Sequence, residues 1–283
     1  MGTLYVVATP IGNLEDMSLR ALRVLREVRL IAAEDTRHTR KLLTHYQIAT
    51  RTISYHEHSA LVRTAEILRV LVEGDVALVS DAGTPGVSDP GQPLVVAALR
   101  AGHQVVPVPG PSAAIAALVA SGLPTDQFTF LGFLPRRSTE RRAALTKVRP
   151  LEHTLILYEA PHRLLACLDD ALAVLGDRQA AAARELTKVH EEVLRGSLSA
   201  LRTQCAAGAG PRGEYTLVVE GASAGAIAAP NEPDRERARV RLAALLAAGW
   251  RTRDAANVVA SELGMSRRDA YRLALEVAAR NQL

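Results

Sequence analysis

The sequence contains few of the residues that mark disulfide-linked, membrane-spanning or aromatic-stacking proteins. Its 283 residues include two Cys, three Phe, six Tyr and one Trp. Cys167 and Cys205 provide neither a disulfide framework nor a paired zinc motif, so we expect reduced thiols in a reducing compartment. Apolar runs stay below the roughly 18 residues that a membrane helix needs. The N-terminal MGTLYVVATP lacks the sections of a signal peptide, and we expect a cytoplasmic protein.

Lysine is also scarce, and the basic charge is unevenly distributed. Only Lys41, Lys147 and Lys188 are lysines among the 34 basic residues. Residues 1–233 hold 24 basic and 24 acidic residues, whereas residues 234–283, the basic tail, hold ten Arg against six acidic residues. The tail therefore carries the whole formal charge of +4, which favours a polyanionic partner.

Short apolar segments alternate with amphipathic ones along the first 221 residues, which predicts an α/β protein built from wound sheets. We expect an N-terminal α/β domain over 1–120 and a C-terminal α/β domain over 121–221. The small-residue stretch 222–233 is typical of a linker, and 234–283 is expected to be a basic helical domain. The predicted strands are Leu4–Ala8, Val76–Ser80, Gln104–Val108, Phe128–Phe133, Thr154–Tyr158, Ala181–Leu186 and Tyr215–Glu220.

Three loops at predicted strand ends are unusual. The first is Thr9–Asn13 (TPIGN), and the second is Ser80–Gly91 (SDAGTPGVSDPG), in which Gly and Pro fix the backbone. The third is Pro107–Ala114 (PVPGPSAA), a rigid turn with Ser112 as the expected cap of the next helix. Because ligands bind at strand ends in open α/β sheets, we expect the three loops to form a binding site.

These loops resemble those of the tetrapyrrole methylase superfamily, the class III S-adenosylmethionine-dependent methyltransferases. The resemblance covers residues 1–221 and continues through AEDTRHTR, FLGFLP, YEAPHR, RELTKVHEE and GEYT. Where the superfamily has GxGPG and GDP, this chain has TPIGN and SDA, and both departures belong to the superfamily's ribosomal RNA branch.

The resemblance implies two α/β domains with S-adenosylmethionine in the cleft between them, and we expect no metal. It also implies a homodimer that methylates the 2′-oxygen of a cytidine ribose in the decoding centre of 16S rRNA, within the small ribosomal subunit. The matching positions for the cofactor are Pro10, Asp81, Ala82, Gly83, Thr84, Ser112, Ala113, Phe133, Thr187 and Thr216.

Three residues are candidates for activating the ribose hydroxyl, which is a poor nucleophile until its proton is accepted or its oxygen polarised. Lys188 can act as a base if desolvated, can orient the hydroxyl while charged, or can simply pair with neighbouring Glu residues. Glu34 and Asp35 follow an apolar run and can position a ligand, accept a proton, or start a helix. We favour positioning for this acidic pair.

Basic clusters suggest where RNA binds. We expect phosphate contacts from Arg37, Arg40, Arg136, Arg137, Arg141 and Arg142, although such runs are also typical of a solvated helix face. The motif His56-Glu57-His58 lacks the further ligands of a zinc site, so we expect these residues to face RNA rather than metal.

The basic tail has helix-turn-helix spacing. A helix is predicted from Thr252 to Leu263, then a turn at Gly264-Met265, then a second helix opened by the capping box Ser266–Asp269. Arg267, Arg268 and Arg272 are expected to face nucleic acid. The alternative is a helical cap that packs on a partner subunit.

Three other functions compete with rRNA methylation. A uroporphyrinogen or precorrin methylase would share the fold, but its acidic macrocycle leaves the basic tail unexplained. A binding module using S-adenosylmethionine only as a ligand is the non-enzyme alternative. A DNA-binding regulator would explain the tail but not the three loops.

Overall fold

The protein is described by a computed structural model covering residues 2–56, 60–207, 210–222, 232–263, 265 and 267–280. Two five-stranded sheets account for residues 3–219, and three helices follow. Ten strands are described in that part of the chain: β1 Thr3–Val7, β2 Leu30–Ala33, β3 Thr52–Ser54, β4 Val76–Val79, β5 Gln104–Val108, β6 Phe128–Phe133, β7 Thr154–Glu159, β8 Gln179–Arg184, β9 Glu192–Ser197 and β10 Tyr215–Val219.

Helices connect most of these strands. Those described are α1 Leu19–Glu27, α2 Thr36–His45, α3 Ala60–Glu73, α4 Gln92–Arg100, α5 Ala113–Ser121, α6 Ser138–Val148, α7 Pro161–Leu175, α8 Leu198–Ala206, α9 Glu232–Ala247, α10 Thr252–Leu263 and α11 Arg267–Arg280. Among the described residues, no helix is both long and apolar enough to cross a bilayer. The predicted α/β class is confirmed. All seven predicted strands are present, and each of their ends lies within two residues of the predicted one.

The first sheet is parallel throughout, in the order β3-β2-β4-β1-β5. Every residue of β2 and β4 is buried, as expected for parallel strands covered by helices on both faces. Because the strands are parallel, the segments that follow β1, β2, β4 and β5 all leave from the same edge. This edge carries the three loops singled out in the sequence and also Glu34-Asp35.

The second sheet, ordered β6-β7-β10-β8-β9, corrects the prediction of wound sheets in both halves. β6 and β7 are parallel, but β7, β10, β8 and β9 pair antiparallel. For β8 and β9 the reason is their short connection 185–191, which has no room for the crossover that parallel strands require. The strand Glu192–Ser197 was not predicted, because EVLRGS has no apolar alternation.

Helices α9–α11 belong to a separate compact unit formed by residues 148–152 and 221–283. Their buried residues form one cluster, with Ala255 and Val259 of α10 packed with Leu273 and Val277 of α11. The predicted helix Thr252–Leu263 is confirmed. Gly264 and Ser266 lie outside the described residues.

Candidate active site

A cavity of about 430 Å³ lies at the carboxyl edge of the first sheet and is lined on its other side by residues of the second. The two sheets belong to the same compact unit. The first sheet's loops contribute Ile11, Ala82, Gly83, Thr84, Val87, Ser88, Asp89, Ser112 and Ala113, and the second sheet contributes Phe133, Tyr158, Glu159, His162, Glu185, Lys188, Glu214 and Thr216.

The three strand-end loops are joined by backbone hydrogen bonds. Thr9 and Gly83 exchange two, with N···O distances of 2.9 and 3.0 Å, and the Thr9 hydroxyl donates to the Ser80 carbonyl at 3.1 Å. Gly83 has φ +81°, a conformation that favours glycine. The third loop is joined through the Thr84 hydroxyl, which donates to the Pro111 carbonyl at 3.5 Å. These bonds fix the shape of the cavity wall.

Seven of the ten predicted cofactor residues line this cavity: Ala82, Gly83, Thr84, Ser112, Ala113, Phe133 and Thr216. Pro10, Asp81 and Thr187 are described but are not among the lining residues. Ser112 occupies the N-cap position of α5 yet makes no side-chain cap bond, so the expected capping role is wrong. Its side chain instead contributes to the cavity wall.

Glu34 and Asp81 brace the second loop against β2. The Asp81 N–H donates to Glu34 Oε2 at 3.1 Å, and the Asp35 N–H donates to Asp81 Oδ1 at 3.1 Å. Burial raises the pKa of Glu34, and the hydrogen bond from Asp81 partly offsets this rise. Both side chains therefore help to fix the shape of the loop.

Asp35 starts a helix, which was one of the alternatives left open for it. Its Oδ1 accepts the Arg37 N–H at 2.8 Å at the N-cap of α2, and its carboxylate pairs with the Arg37 guanidinium. The Arg37 hydrogen bonds lower the pKa of Asp35 to about 2. A carboxylate with so low a pKa is a weak base, so proton transfer by Asp35 is disfavoured.

Lys188 lines the cavity as a paired cation. Its Nζ donates to Glu185 Oε1 and to Glu214 Oε2, both at 2.8 Å. Burial disfavours the charged ammonium, but the hydrogen bonds to the two carboxylates outweigh burial and raise the pKa of Lys188. Of the three alternatives, the geometry favours pairing with Glu and an orienting role while charged, and it disfavours a neutral lysine base.

The turn that carries Lys188 has an unusual backbone. Glu185 and Thr187 have φ of +50° and +66°, which non-glycine residues rarely adopt. The Thr187 hydroxyl is buried and, within the described part of the chain, has no hydrogen-bond partner. Strain of this kind concentrates at functional sites, where the surrounding contacts maintain it.

Sequence analysis missed several charged or polar lining residues: Asp89, Tyr158, Glu159, His162, Glu185 and Glu214. All six lie in segments already quoted for the resemblance, but no pattern in the sequence separated the residues that face the cavity from their neighbours. Asp89 had the best available signal, since it is a second carboxylate in the Gly/Pro-rich loop.

One predicted RNA contact is wrong. Arg141 is 4% exposed, and its guanidinium donates to Asp170 Oδ2 at 2.7 Å and to the Arg136 carbonyl at 3.1 Å. Such a side chain cannot reach a phosphate. Arg142 is about half exposed but also bonds Asp170.

Of the other predicted RNA contacts, four are exposed arginines and two have side chains outside the described residues. Arg37, Arg40, Arg136 and Arg137 are exposed. The side chains of Arg267 and Arg268 lie outside the described residues, as do Glu57 and His58 of the histidine motif. Among described residues, no cluster of three His, Cys, Asp or Glu side chains is arranged for a metal.

Comparison with known proteins identifies the family. Residues 3–202 match the family model described as Tetrapyrrole (Corrin/Porphyrin) Methylases. The chain is 50% identical to ribosomal RNA small subunit methyltransferase I of Synechocystis sp., covering 99% of both chains. It is 49% identical to the protein of that name from Halalkalibacterium halodurans, covering 96% of this chain and 94% of the relative.

Solved structures share the fold at lower identity. Diphthine synthase superposes with a TM-score of 0.61 at 16% identity, covering 78% of this chain and 90% of that one. Uroporphyrin-III-C-methyltransferase from Thermus thermophilus gives 0.53 at 24% identity, covering 78% and 94%. The chain therefore belongs to the tetrapyrrole methylase family and, within it, to the group of ribosomal RNA small subunit methyltransferase I proteins.

Proposed function

We propose that this protein methylates the 2′-oxygen of a decoding-centre cytidine ribose in 16S rRNA, using S-adenosylmethionine. The observation that carries the proposal is similarity over nearly the whole chain to proteins named ribosomal RNA small subunit methyltransferase I. The cavity built by the three strand-end loops supports it, because methyl transfer depends on holding donor and acceptor close together.

The cavity suits S-adenosylmethionine in size and chemistry. Its volume of about 430 Å³ is in the usual range for small-ligand sites. Its wall combines polar residues, such as Ser112 and Thr216, with apolar ones, such as Ile11 and Phe133, as small-ligand sites usually do. No metal is required, since the cofactor when bound supplies an electrophilic methyl group.

The residues of the chain hold the reactants and control charge. The loop 81–84, Ser112, Ala113, Phe133 and Thr216 would contact the cofactor, with Glu34 bracing the loop from behind. Lys188, held as a cation by two carboxylates, orients the acceptor or the cofactor's carboxylate at the opposite wall. Placing both reactants in one cavity contributes to the rate by holding the oxygen and the methyl carbon close together.

Exposed arginines would bind rRNA through its phosphates. We expect Arg136→Ala to weaken binding to the small ribosomal subunit and to reduce the slope of log affinity against log salt by about 1, because one phosphate contact is lost. Arg69→Ala, an exposed arginine on α3, is the matched control and should leave the slope unchanged. If Arg136→Ala and the unmodified protein showed equal salt dependence, Arg136 would not be a phosphate contact.

Substrate and cellular setting follow from this activity. The assembled small subunit is the proposed substrate, a homodimer the proposed state, and the cytoplasm the proposed location. The uroporphyrinogen alternative shares the fold through a solved structure only 24% identical, whereas the rRNA methyltransferase relatives are 46–50% identical. The latter similarity is the stronger argument for substrate class.

The decisive experiment measures transfer of labelled methyl from S-adenosylmethionine to undermethylated small subunits, followed by digestion of the RNA to nucleosides. Label in 2′-O-methylcytidine is the expected result. Label in another nucleoside would preserve rRNA methylation but contradict the proposed position. No label in RNA, despite tight cofactor binding, would contradict the proposed function and point to tetrapyrroles.

A further inference from the structure

Asp89 lies in the cavity wall on the loop between β4 and α4, and the backbone holds it there. The preceding residue, Ser88, has φ +64°, which is unfavourable for a serine and is maintained by its surroundings. A Cβ on Gly132 would lie 3.0 Å from the Ser88 hydroxyl, so the backbone of β6 packs directly on Ser88. The loop that carries Asp89 therefore lies against the second sheet as well as the first.

The surroundings of Asp89 disfavour its ionised form, but its carboxyl still ionises at neutral pH. The pKa of Asp89 is raised to about 6 in total. Burial is the largest cause, the nearby Glu34 carboxylate adds to the rise, and a hydrogen bond from Ser80 partly opposes it. Asp81 contributes a smaller rise. Tyr158 approaches from the second sheet, where burial, and to a lesser extent the charge of Asp89, raise the pKa of its phenol.

We propose that Asp89 is the general base of the methyl transfer. It accepts the proton of the ribose 2′-hydroxyl while the oxygen forms its bond to the methyl carbon. The methyl–sulfur bond breaks with its electron pair going to sulfur, so a cationic sulfonium becomes a neutral thioether. The inference rests on the proposed function, since it assigns a role within that reaction.

The three residues first considered for this role fit it less well. Lys188 is held protonated by two carboxylates, and Asp35 is an N-cap with a low pKa. Glu34 is committed to the Asp81 N–H and is not among the lining residues. Asp89 combines a place in the cavity wall with a pKa close to the working pH, as general-base catalysis requires.

Other ionisable groups share the cavity and have to be separated from Asp89 in any pH profile. They are Tyr158, Glu159, His162, Glu185, Lys188 and Glu214. His162 is an ionisable side chain in the same cavity wall, so His162→Gln is included as a comparison. A profile controlled by Asp89 keeps its ascending limb in that variant.

The test is the single-turnover rate of methyl transfer to undermethylated small subunits, with saturating S-adenosylmethionine and enzyme. For the unmodified protein we expect the rate to rise with pH through about 6 and then level off, because the base has to be deprotonated. Asp89→Asn should reduce the plateau rate by about 10²–10⁴-fold and abolish the ascending limb. Asp89→Glu should recover part of the rate.

Two further variants test the same assignment in proteins that keep Asp89. Glu34→Gln retains an acceptor for the Asp81 N–H but removes a negative charge, so the ascending limb should move to lower pH. Ser80→Ala removes a hydrogen bond to the Asp89 carboxylate, so the limb should move to higher pH. These opposite shifts decide the matter even if Asp89→Asn fails to fold.

Three results would overturn the inference. The first is an Asp89→Asn plateau rate equal to that of the unmodified protein. The second is a variant that loses only cofactor affinity in calorimetry while its saturated rate is unchanged, which would make Asp89 a cofactor ligand. The third is a limb that stays fixed in both Glu34→Gln and Ser80→Ala. Absence of activity in the unmodified protein would instead contradict the proposed function.

Discussion

Replacing Asp170 with alanine is expected to lower the free energy of unfolding by about 3–5 kcal/mol, because it leaves a buried guanidinium without its counter-ion. The side chains of Arg141 and Asp170 are 4% and 3% exposed. Asp170 accepts from Arg141, Arg142 and the Ser138 hydroxyl, the last at 2.9 Å. The carboxylate therefore joins helix α7 to helix α6 at three points.

The adjacent residue provides a matched control. Asp169 also pairs with an arginine, since Arg202 Nε lies 2.9 Å from its Oδ1, but both side chains are about half exposed. Exposed pairs contribute little to stability, so Asp169→Ala should cost far less than Asp170→Ala. Chemical denaturation of both variants measures the difference. Equal losses of unfolding free energy in the two variants would mean that burial does not increase the contribution of the Arg141–Asp170 pair to stability.

The stabilisation by Asp170 also depends on pH in a fixed direction. Burial alone would raise the pKa of Asp170, but the hydrogen bonds from Arg142, Ser138 and Arg141 outweigh burial and lower it. A carboxyl with a lowered folded-state pKa stabilises fully above its unfolded pKa of about 3.9, and its contribution is lost as the pH falls through the folded-state pKa. The unmodified protein and Asp170→Ala should therefore converge in stability only in strong acid.

Arg141 also illustrates a limit of charge patterns. The arginines at 136, 137, 141 and 142 were all expected to contact RNA phosphates, yet Arg141 faces the interior. Its position four residues before the buried Leu145 places both on the same face of α6. The helical spacing of Arg141 and Leu145 therefore indicated that Arg141 is buried. The count of basic residues did not, because it treats buried and exposed arginines alike. The partner, Asp170, is on a different helix, and no local pattern indicates such a contact.

The meeting of the three strand-end loops, in contrast, could be predicted from the strand pattern. Parallel strands present their carboxyl ends at one edge, so loops after β1, β4 and β5 had to meet once those strands were identified. What the sequence could not indicate was the other wall of the cavity. The second sheet is mixed. Tyr158 reaches the cavity from β7, which pairs with the distant strand β10, and Lys188 reaches it from the short connection between β8 and the unpredicted strand β9.

A second large effect is expected from Gly12→Ala, this time on activity. A Cβ at position 12 would lie 2.4 Å from Lys188 Cγ, 2.9 Å from the Thr187 hydroxyl and 3.0 Å from the Leu186 carbonyl oxygen. The first loop and the turn 185–188 would have to separate. Displacing catalytic groups by about 1 Å can cost about 10²-fold in rate, so we expect kcat/KM for methyl transfer to fall by about 10- to 100-fold.

Gly74→Ala is the control for this substitution. The nearest atom to a Cβ at Gly74 is Arg29 Cδ at 3.4 Å, an ordinary contact with a flexible side chain, so activity should be unchanged. If Gly12→Ala kept normal kcat/KM while its stability fell, the close approach would serve folding alone. A loss of activity with near-normal stability would instead mean that the first loop acts through Lys188. In that case Gly12 is required because its backbone, in the first loop, packs against Lys188 and so positions the Lys188 ammonium in the opposite wall of the cavity.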